Sequence, residues 1–212
     1  MKVLVTGSSN GIGKAIASKF LDNGHEVIGF DIEKATIKNT NYKHYIQDIR
    51  DNLPDIDDIN IIINNAGVQN NNDIDVNLKG TINVTEKYIN KNIKSIVFIA
   101  SSSASTGSEF PEYAASKGGV VTYMKNIALR IAEYGATSNS ISPGGVITKI
   151  NKHILDSPKL YKEVLNETLL NKWANPEEIA DFAYFISVIN KSMTGEDILI
   201  DNGEKIKSNF VW

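Results

Sequence analysis

The sequence predicts a single α/β domain in which a seven-stranded, mainly parallel sheet carries helices on both faces. Three observations support this fold class. The length of 212 residues suffices for one sizeable core. Short apolar runs bounded by turn residues alternate with stretches of helical periodicity. A Gly-rich turn joins the first of these runs directly to the first helical stretch, which is typical of a β-α-β unit.

That first unit occupies about the first 30 residues. A buried apolar strand at 2–6 leads through the Gly-rich turn into a helix over 14–23. Asn23 and Gly24 end this helix, and the apolar run 26–31 forms the second strand. Five further strands are predicted at 42–46, 59–63, 95–100, 139–142 and 197–200, with helices over 76–92, 112–133 and 176–189.

Two connections between predicted elements are tight. The segment from Asp48 to Asn64 contains Pro54 and is acidic, and a full crossover helix barely fits there. The second connection, 67–77, holds a polar cluster at 69–72. We expect that cluster to be a solvated loop, because runs of Gln and Asn favour turns.

Composition and charge exclude several classes of protein. No apolar run approaches the roughly 20 residues that cross a bilayer. The chain carries 22 Lys and Arg against 25 Asp and Glu, a net charge of −3, without a basic cluster, so nucleic acid is not an expected partner. There is no Cys, and His25, His44 and His153 are too scattered to predict a metal site. The chain begins without a cleavable signal pattern, and we expect a cytoplasmic protein.

The Gly-rich turn predicts a phosphate-binding loop. Gly7, Gly11 and Gly13 lie between a strand and a helix. Because glycine has no side chain, the backbone there can turn tightly and approach a pyrophosphate at the positive end of the helix. A dinucleotide is the implied ligand, although a purely structural turn is the alternative for such a motif on its own.

Further motifs extend this pattern along the chain. The glycine spacing is Gly-x-x-x-Gly-x-Gly, preceded by Thr6. It is followed by Asn64-Asn65-Ala66-Gly67, by Tyr113 and Lys117, by Pro143-Gly144, and by Pro-Glu-Glu-Ile-Ala at 176–180. In order and interval these motifs resemble those of the classical short-chain dehydrogenase/reductase family, and the chain looks like a shortened member.

The resemblance implies a doubly wound Rossmann fold, with residues 1–212 as one dinucleotide-binding and catalytic domain. It also implies a substrate lid at 149–172 and a C-terminal tail at 204–212. The implied function is an NAD(P)(H)-dependent oxidoreductase that interconverts a carbonyl and a secondary alcohol, as 3-oxoacyl reductases and small-ketone reductases do. The implied assembly is a homodimer or homotetramer. The shortened segments keep one alternative open, a dinucleotide-binding regulator or scaffold without turnover.

Cofactor preference depends on the end of the second strand. A carboxylate at Asp31 can accept hydrogen bonds from the adenosine ribose hydroxyls and repel a 2′-phosphate. Asn10 and Ile32 stand where phosphate-binding relatives often carry Arg or Lys, so NAD is favoured over NADP, while Asp48 is expected to face the adenine. The residues expected to bind the cofactor are Gly7, Ser9, Asn10, Gly11, Ile12, Gly13, Asp31, Asp48, Asn65, Ala66, Gly67, Tyr113, Lys117, Pro143, Gly144, Val146 and Thr148.

The candidate acid/base pair lies on one predicted helix. Tyr113 and Lys117 are four residues apart, so their side chains project from the same face. A Tyr hydroxyl ordinarily has a pKa near 10, and an adjacent ammonium stabilises its phenolate, which allows proton exchange at workable pH. In the family the Lys also holds the nicotinamide ribose.

Two further catalytic positions follow from the resemblance. Ser101, at the end of the strand 95–100, matches the family serine that hydrogen-bonds the substrate oxygen, and Ser102 is the alternative. Asn77 resembles the Asn that anchors a water for proton relay from the Lys. The alternatives from the residues alone are a polar turn for the serines and a helix-surface side chain for Asn77.

Overall fold

In the computed structural model, which describes residues 1–107 and 110–207, seven strands form one sheet. The strands are β1 (Lys2–Thr6), β2 (Glu26–Asp31), β3 (Tyr42–Ile46), β4 (Ile61–Asn64), β5 (Ser95–Ile99), β6 (Thr137–Pro143) and β7 (Asp197–Ile200). Their order is β3-β2-β1-β4-β5-β6-β7, and all neighbouring pairs are parallel. Because the winding direction reverses between β1 and β4, a crevice forms at the carboxyl ends of these two strands.

Helices connect most of the strands. The α-helices are α1 (Gly11–Asp22), α2 (Thr81–Tyr88), α3 (Ser103–Thr106), α4 (Pro111–Ile131), α5 (Lys152–Leu155), α6 (Pro158–Leu165) and α7 (Pro176–Tyr184). Two π-helical segments, Ile74–Gly80 and Phe185–Ile189, adjoin α2 and α7, and 3₁₀ turns occupy Ala132–Tyr134 and Lys149–Asn151. Within the described ranges, no helix has both the length and the apolar character that crossing a membrane would need.

Two apolar cores enclose the sheet, because side chains along each strand alternate between its faces. In β4, Ile61 and Ile63 belong to the core that α1 and α7 cover, whereas Ile62 belongs to the core covered by α2 and α4. Phe20 of α1 and Met124 of α4 are fully buried on opposite faces. The carboxyl edge of the sheet is therefore held between two packed layers.

The strands lie close to their predicted places, whereas one predicted helix is wrong at both ends. β1, β2, β3 and β7 have the predicted bounds, and the other three strands differ by one or two residues. The helix predicted over 76–92 begins at Ile74 as a π-helical segment and stops at Tyr88. It stops because the Asn90 amide donates to the Tyr88 carbonyl and to the Ile59 carbonyl, which turns the chain away.

Smaller differences affect two other helices. α1 begins at Gly11 rather than at the predicted residue 14, so two glycines of the turn lie inside its first turn. α4 covers Pro111–Ile131, and the last predicted residues, up to 133, tighten into a 3₁₀ turn. The helix predicted over 176–189 is present, with its last five residues in π-helical geometry.

The connection between β3 and β4 lacks a helix in residues 47–60, all of which are described, as its shortness predicts. The side chain of Asn83 in α2 holds this segment by donating to the Ile49 and Asp51 carbonyls. The Tyr88 hydroxyl donates to the Pro54 carbonyl at 2.6 Å. Buried Ile49 packs into the core that α2 and α4 cover, where side chains of a crossover helix would otherwise pack.

Candidate active site

A cavity of about 920 Å³ opens at the carboxyl edge of the sheet. Its walls come from the turn after β1, the loops after β2, β3, β4 and β5, the start of α4, and the region after β6. This is the position that the strand order predicts for a ligand. The volume lies in the range that ligand pockets commonly reach.

The glycine turn forms one end of the cavity. Gly7 and Gly11 have φ angles of 68° and 51°, in the left-handed region that favours glycine. A Cβ on Gly13 would stand 2.1 Å from the Gly7 carbonyl oxygen and 2.4 Å from Asn65 Nδ2. The backbone therefore forms a cradle that only glycines permit, at the first turn of α1. Such a cradle fits a pyrophosphate, because the helix start presents backbone N–H donors.

We predict that Gly13→Ala raises the Kd for the dinucleotide at least about 10²-fold. The new methyl group would force the Gly7 carbonyl out of the turn. NADH fluorescence titration measures the Kd. Gly118→Ala is the matched control, since its Cβ would meet only the Ala104 carbonyl oxygen at 3.7 Å. An unchanged Kd in Gly13→Ala would contradict the prediction.

Two carboxylates line the cavity after β2. Asp31 accepts hydrogen bonds from the Ser9 amide at 2.9 Å and the Glu33 amide at 2.8 Å, which fix its orientation. The Glu33 carboxylate accepts from Asn10 Nδ2 at 2.8 Å and from Lys149 Nζ at 3.3 Å. The hydrogen bond from Asn10 and then the contact with Lys149 lower the pKa of Glu33. This part of the cavity thus carries two carboxylates, of which Glu33 is paired with Lys149.

Asp48 also lines the cavity, at the start of the loop after β3, and is paired with Arg50. Its carboxylate accepts from the Arg50 amide at 2.9 Å and from the guanidinium at 2.6 Å. The hydrogen bonds with Arg50 lower the pKa of Asp48. The Asp48 charge is therefore balanced locally, and Arg50 is held by this contact.

Tyr113 and Lys117 project from α4 into the cavity, as their spacing predicts. The side chain of Lys117 is 5% exposed, and its Nζ donates to the Ile99 carbonyl at the end of β5 at 2.8 Å. The same Nζ lies 5.7 Å from the centre of the Tyr113 ring. Burial lowers the pKa of Lys117 to about 8, and the negative charge of Asp73 opposes part of that change.

Both candidate serines line the cavity after β5. Ser101 Oγ donates to Ser103 Oγ at 3.1 Å and accepts from the Ser103 amide at 3.2 Å. Ser102 is tied to β6 through its amide, which donates to the Pro143 carbonyl at 2.9 Å. These contacts fix the two serines in the lining of the cavity to which Tyr113 also belongs.

Asn77 lies in the π-helical segment Ile74–Gly80 and is 1% exposed. Its Oδ1 accepts from the Val68 amide at 2.7 Å, and its Nδ2 donates to the Val68 carbonyl at 2.9 Å and to Ser116 Oγ at 3.0 Å. The side chain therefore ties the segment after β4 to α4, one residue before Lys117. Insertions of this π-helical kind are rare and often lie at functional sites.

Thr6 fastens the floor of the cavity by joining β1 to the loop after β4. Its hydroxyl accepts from the Asn65 and Ala66 amides, both at 3.0 Å. Asn65 Nδ2 returns hydrogen bonds to the Thr6 and Gly7 carbonyls at 2.9 and 3.2 Å. The Asn-Asn-Ala-Gly motif thus holds the glycine turn as well as lining the cavity.

The far wall follows β6. Val146 pairs with Ala174 in a parallel bridge, and its carbonyl accepts from Asn151 Nδ2 at 2.8 Å. The Thr148 methyl group would be 3.2 Å from a Cβ on Gly11, so this wall packs directly against the glycine turn. Of the apolar residues in the region 149–172, Ile150, Ile154, Leu160 and Val164 line the cavity.

Most of the predicted site residues line one cavity. The exceptions are Ser9, Gly13 and Asn77, which are buried behind its wall. Among the described residues, no group of three or more His, Asp or Glu is placed to hold a metal ion. The predicted tail at 204–212 is described only as far as residue 207, where Glu204 lines the cavity. Residues 208–212 lie outside the described range.

The polar residues that sequence reasoning missed include Glu33 and Lys149, which line the cavity, and Asp73, which is buried behind its wall. Glu33 has a signal in the sequence, since it stands two residues after Asp31. Asp73 has a weaker one, the four-residue spacing to Asn77 that places both on the same face of a helical turn. The pairing of Lys149 with Glu33 joins distant parts of the chain and has no local signal.

Comparison with known proteins gives consistent matches. A family model described as enoyl-(acyl carrier protein) reductase matches residues 38–205. The 3-oxoacyl-[acyl-carrier-protein] reductase FabG of Buchnera aphidicola subsp. Schizaphis graminum is 30% identical over 235 residues, covering 94% of this chain and 95% of that protein. Glucose 1-dehydrogenase of Gluconobacter oxydans is 26% identical, with coverage of 99% and 93%. Among solved structures, ligand-free aldohexose dehydrogenase of Thermoplasma acidophilum matches with a TM-score of 0.90 and 26% identity, covering 100% of this chain and 96% of that one.

Proposed function

The chain belongs to the short-chain dehydrogenase/reductase family, and we propose that it uses NADH to reduce a carbonyl to a secondary alcohol and also catalyses the reverse oxidation. The enzyme is an oxidoreductase that acts on CH–OH groups with NAD or NADP as acceptor. The observation that carries the proposal is the meeting of Tyr113, Lys117 and Ser101 in the cavity that the glycine turn closes. A bound nicotinamide would supply or accept the hydride, which side chains cannot do.

The side chains provide the proton and orient the substrate. We assign the Tyr113 hydroxyl to proton exchange with the substrate oxygen, and the Ser101 hydroxyl to a hydrogen bond that orients the same oxygen. An ammonium has three N–H donors, and Lys117 directs one of them to the Ile99 carbonyl. We assign the others to the cofactor ribose and to a proton relay that Asn77 holds in place.

The charge of the wall after β2 supports NADH over NADPH. Asp31 and Glu33 place two carboxylates beside the turn that fits the pyrophosphate. A 2′-phosphate there would meet like charges, and such contacts cost several kcal/mol. The nearest cations on this wall, Arg50 and Lys149, are paired with Asp48 and Glu33.

We propose a 3-oxoacyl compound as the substrate class. The curated relative from Buchnera is named as a 3-oxoacyl reductase. Ile150, Ile154, Leu160 and Val164 form an apolar wall that would pack along an acyl chain. We further propose that residues 149–172 act as a lid over this wall, and that the protein assembles as a homodimer or homotetramer.

The test is NADH and NADPH consumption by the pure protein with 3-oxoacyl thioesters, β-ketoesters and small ketones, and NAD reduction with aldohexoses. We expect turnover with the 3-oxoacyl substrates and roughly a 10²-fold higher kcat/KM with NADH than with NADPH, because of the like-charge cost at Asp31. Asp31→Ala should narrow this preference to within about tenfold, since it removes the Asp31 charge, whereas the Glu33 charge is paired with Lys149.

Asp57→Ala is the matched control, because it removes an exposed carboxylate from the loop before β4 and should keep the preference for NADH. A preference for NADPH in the unchanged protein would contradict the role of Asp31. Turnover only with aldohexoses would overturn the substrate class. NADH binding without turnover on any substrate would favour a dinucleotide-binding regulator.

A further inference from the structure

A buried carboxylate stands behind the active site and has no role in the function proposed above. Asp73 is 3% exposed and lies at the start of the π-helical segment Ile74–Gly80. Carboxylates are rarely buried this far unless other groups stabilise their charge. The groups around Asp73 therefore indicate what its charge does.

Two donors and one cation account for the environment of Asp73. Both carboxylate oxygens accept from the Asn70 amide at 3.2 Å, and Oδ1 accepts from Asn77 Nδ2 at 3.5 Å. The negative charge of Asp73 also acts on the buried ammonium of Lys117. The carboxylate thus contacts Asn77, and its charge favours the ammonium form of Lys117.

The backbone of Gly67 brings these groups together. A Cβ built on Gly67 would stand 3.2 Å from Asn77 Oδ1 and 3.4 Å from Lys117 Nζ. The Asn77 side chain therefore contacts Asp73 through Nδ2, while its Oδ1 and the Lys117 ammonium both lie close to Gly67. The connection after β4 is short, and Asp73 follows Gly67 by only six residues. This shortness keeps Asp73 close to the residues around Gly67.

We propose that Asp73 is a positioning residue of this active site: it holds the Asn77 amide and supplies the negative charge that faces the Lys117 ammonium. The proposal rests on the proposed role of Lys117 in catalysis. Asp73 touches neither substrate nor cofactor in this arrangement, because it lies behind the cavity wall. It acts through Asn77 and Lys117.

The physical need for this charge comes from the burial of Lys117. Burial lowers the pKa of Lys117 to about 8, so the ammonium starts to lose its proton as the pH approaches 8. Within the described residues, the titratable groups that face the ammonium are Tyr113 on its own helix and Asp73. β5 and the loop after β4 contribute the neutral Ile99 carbonyl and the Gly67 backbone. Asp73 is therefore the group that favours the charged form.

The test compares Asp73→Asn with Asp75→Asn. The first change keeps the shape and the oxygen that accepts from Asn70, but removes the charge. The second removes a charge from the same π-helical segment, where exposed Asp75 pairs with Lys79 at 2.7 Å. We expect kcat of Asp73→Asn to fall about fivefold at pH 8 but less than twofold at pH 6.5, as a decrease of about one unit in the pKa of Lys117 would produce. The kcat of Asp75→Asn should equal that of the unchanged enzyme at both pH values.

A second measurement follows the protonation of Lys117 and needs no catalytic turnover. In protein labelled with ¹⁵N-lysine, the Lys117 Nζ signal, assigned by its absence in Lys117→Met, should titrate near pH 8 and move to lower pH only in Asp73→Asn. Because this readout needs no substrate, it stays valid if the proposed function fails. If Tyr113→Phe abolishes turnover while Asp73→Asn shifts nothing, the function stands and the role of Asp73 is overturned.

Two other outcomes also contradict the proposal. An equal loss of kcat at every pH in Asp73→Asn would show a purely structural role in the turn that Asn70 caps. Equal shifts in Asp73→Asn and Asp75→Asn would show a general effect of net charge. If Asp73→Asn does not fold, Asp73→Glu keeps the charge, and its pH profile should then match that of the unchanged enzyme. A displaced profile in Asp73→Glu would overturn the proposal.

Discussion

Replacing Tyr113 by Phe is expected to lower kcat about a thousandfold, because it removes the hydroxyl that exchanges a proton with the substrate oxygen. The ring remains and can pack as before, so the Kd for NADH should change less than about threefold. Steady-state kinetics and NADH fluorescence titration measure the two quantities. A loss confined to kcat distinguishes a proton-transfer role from a role in binding.

Tyr123→Phe is the matched control for this variant. Tyr123 lies on the same helix, and its hydroxyl donates to Glu86 at 2.8 Å, away from the cavity. Its removal should cost about 1 kcal/mol of stability and leave kcat within about twofold. If Tyr113→Phe keeps a tenth or more of the activity, Tyr113 is not the acid/base of this enzyme.

Replacing Lys117 by Met is expected to abolish turnover and at the same time to stabilise the protein. Burial lowers the pKa of the folded-state ammonium from 10.5 to about 8. This difference corresponds to about 3 kcal/mol of unfavourable free energy when the group is charged. Met removes that cost but leaves the Ile99 carbonyl without its donor, at about 1 kcal/mol. The net gain in the free energy of unfolding at pH 7 should be about 2 kcal/mol.

The gain should depend on pH in a defined direction. Below pH 8 Lys117 is charged in both folded and unfolded states, and the burial cost is fully present. Between pH 8 and 10.5 the unfolded state binds more protons, so the unchanged enzyme gains stability as the pH rises and the advantage of Met shrinks. Urea unfolding at pH 6.5, 8 and 9.5 measures this trend.

Lys125→Met is the control for the stability of Lys117→Met. Lys125 is exposed on the same helix, and its replacement should change the free energy of unfolding by less than about 0.5 kcal/mol at any of these pH values. Destabilisation of Lys117→Met at pH 6.5 would contradict the expected cost of the buried charge. Lys117 would then contribute more through its hydrogen bond than it loses through burial.

The strands were predictable because their signal is local. A strand such as Glu26–Asp31 is an apolar run between turn residues, and nothing distant is needed to recognise it. The end of α2 was not predictable in the same way. Asn90 ends the helix by donating to the carbonyl of Ile59, which lies far away in sequence, so periodicity extends the helix beyond its true end. The π-helical geometry of Ile74–Gly80 leaves no clear mark on the apolar pattern either.

The site residues that belong to sequence motifs were predictable. Those whose importance depends on burial in the folded chain were not. Tyr113, Lys117, Ser101, Gly7 and Gly11 line one cavity, as the motifs indicate. Asp73 was missed because an Asp in an Asn-rich stretch is typical of a solvated loop, and only the folded chain buries it. Ser9 and Gly13 lie behind the cavity wall, since each shapes the turn rather than presenting a side chain to the ligand.

The all-parallel sheet also determines how this chain can fold. No neighbouring pair among the seven described strands can form a hairpin, so each pairing must wait until the segment between its two strands has closed. The pairing of β1 with β4 is demanding, because it sets Val3 beside the distant Ile61 and completes the floor under the glycine turn. During synthesis β1 is therefore made long before β4, although the cofactor site lies at the carboxyl ends of both strands. Until β4 has been made, β1 lacks one of its two neighbours in the sheet.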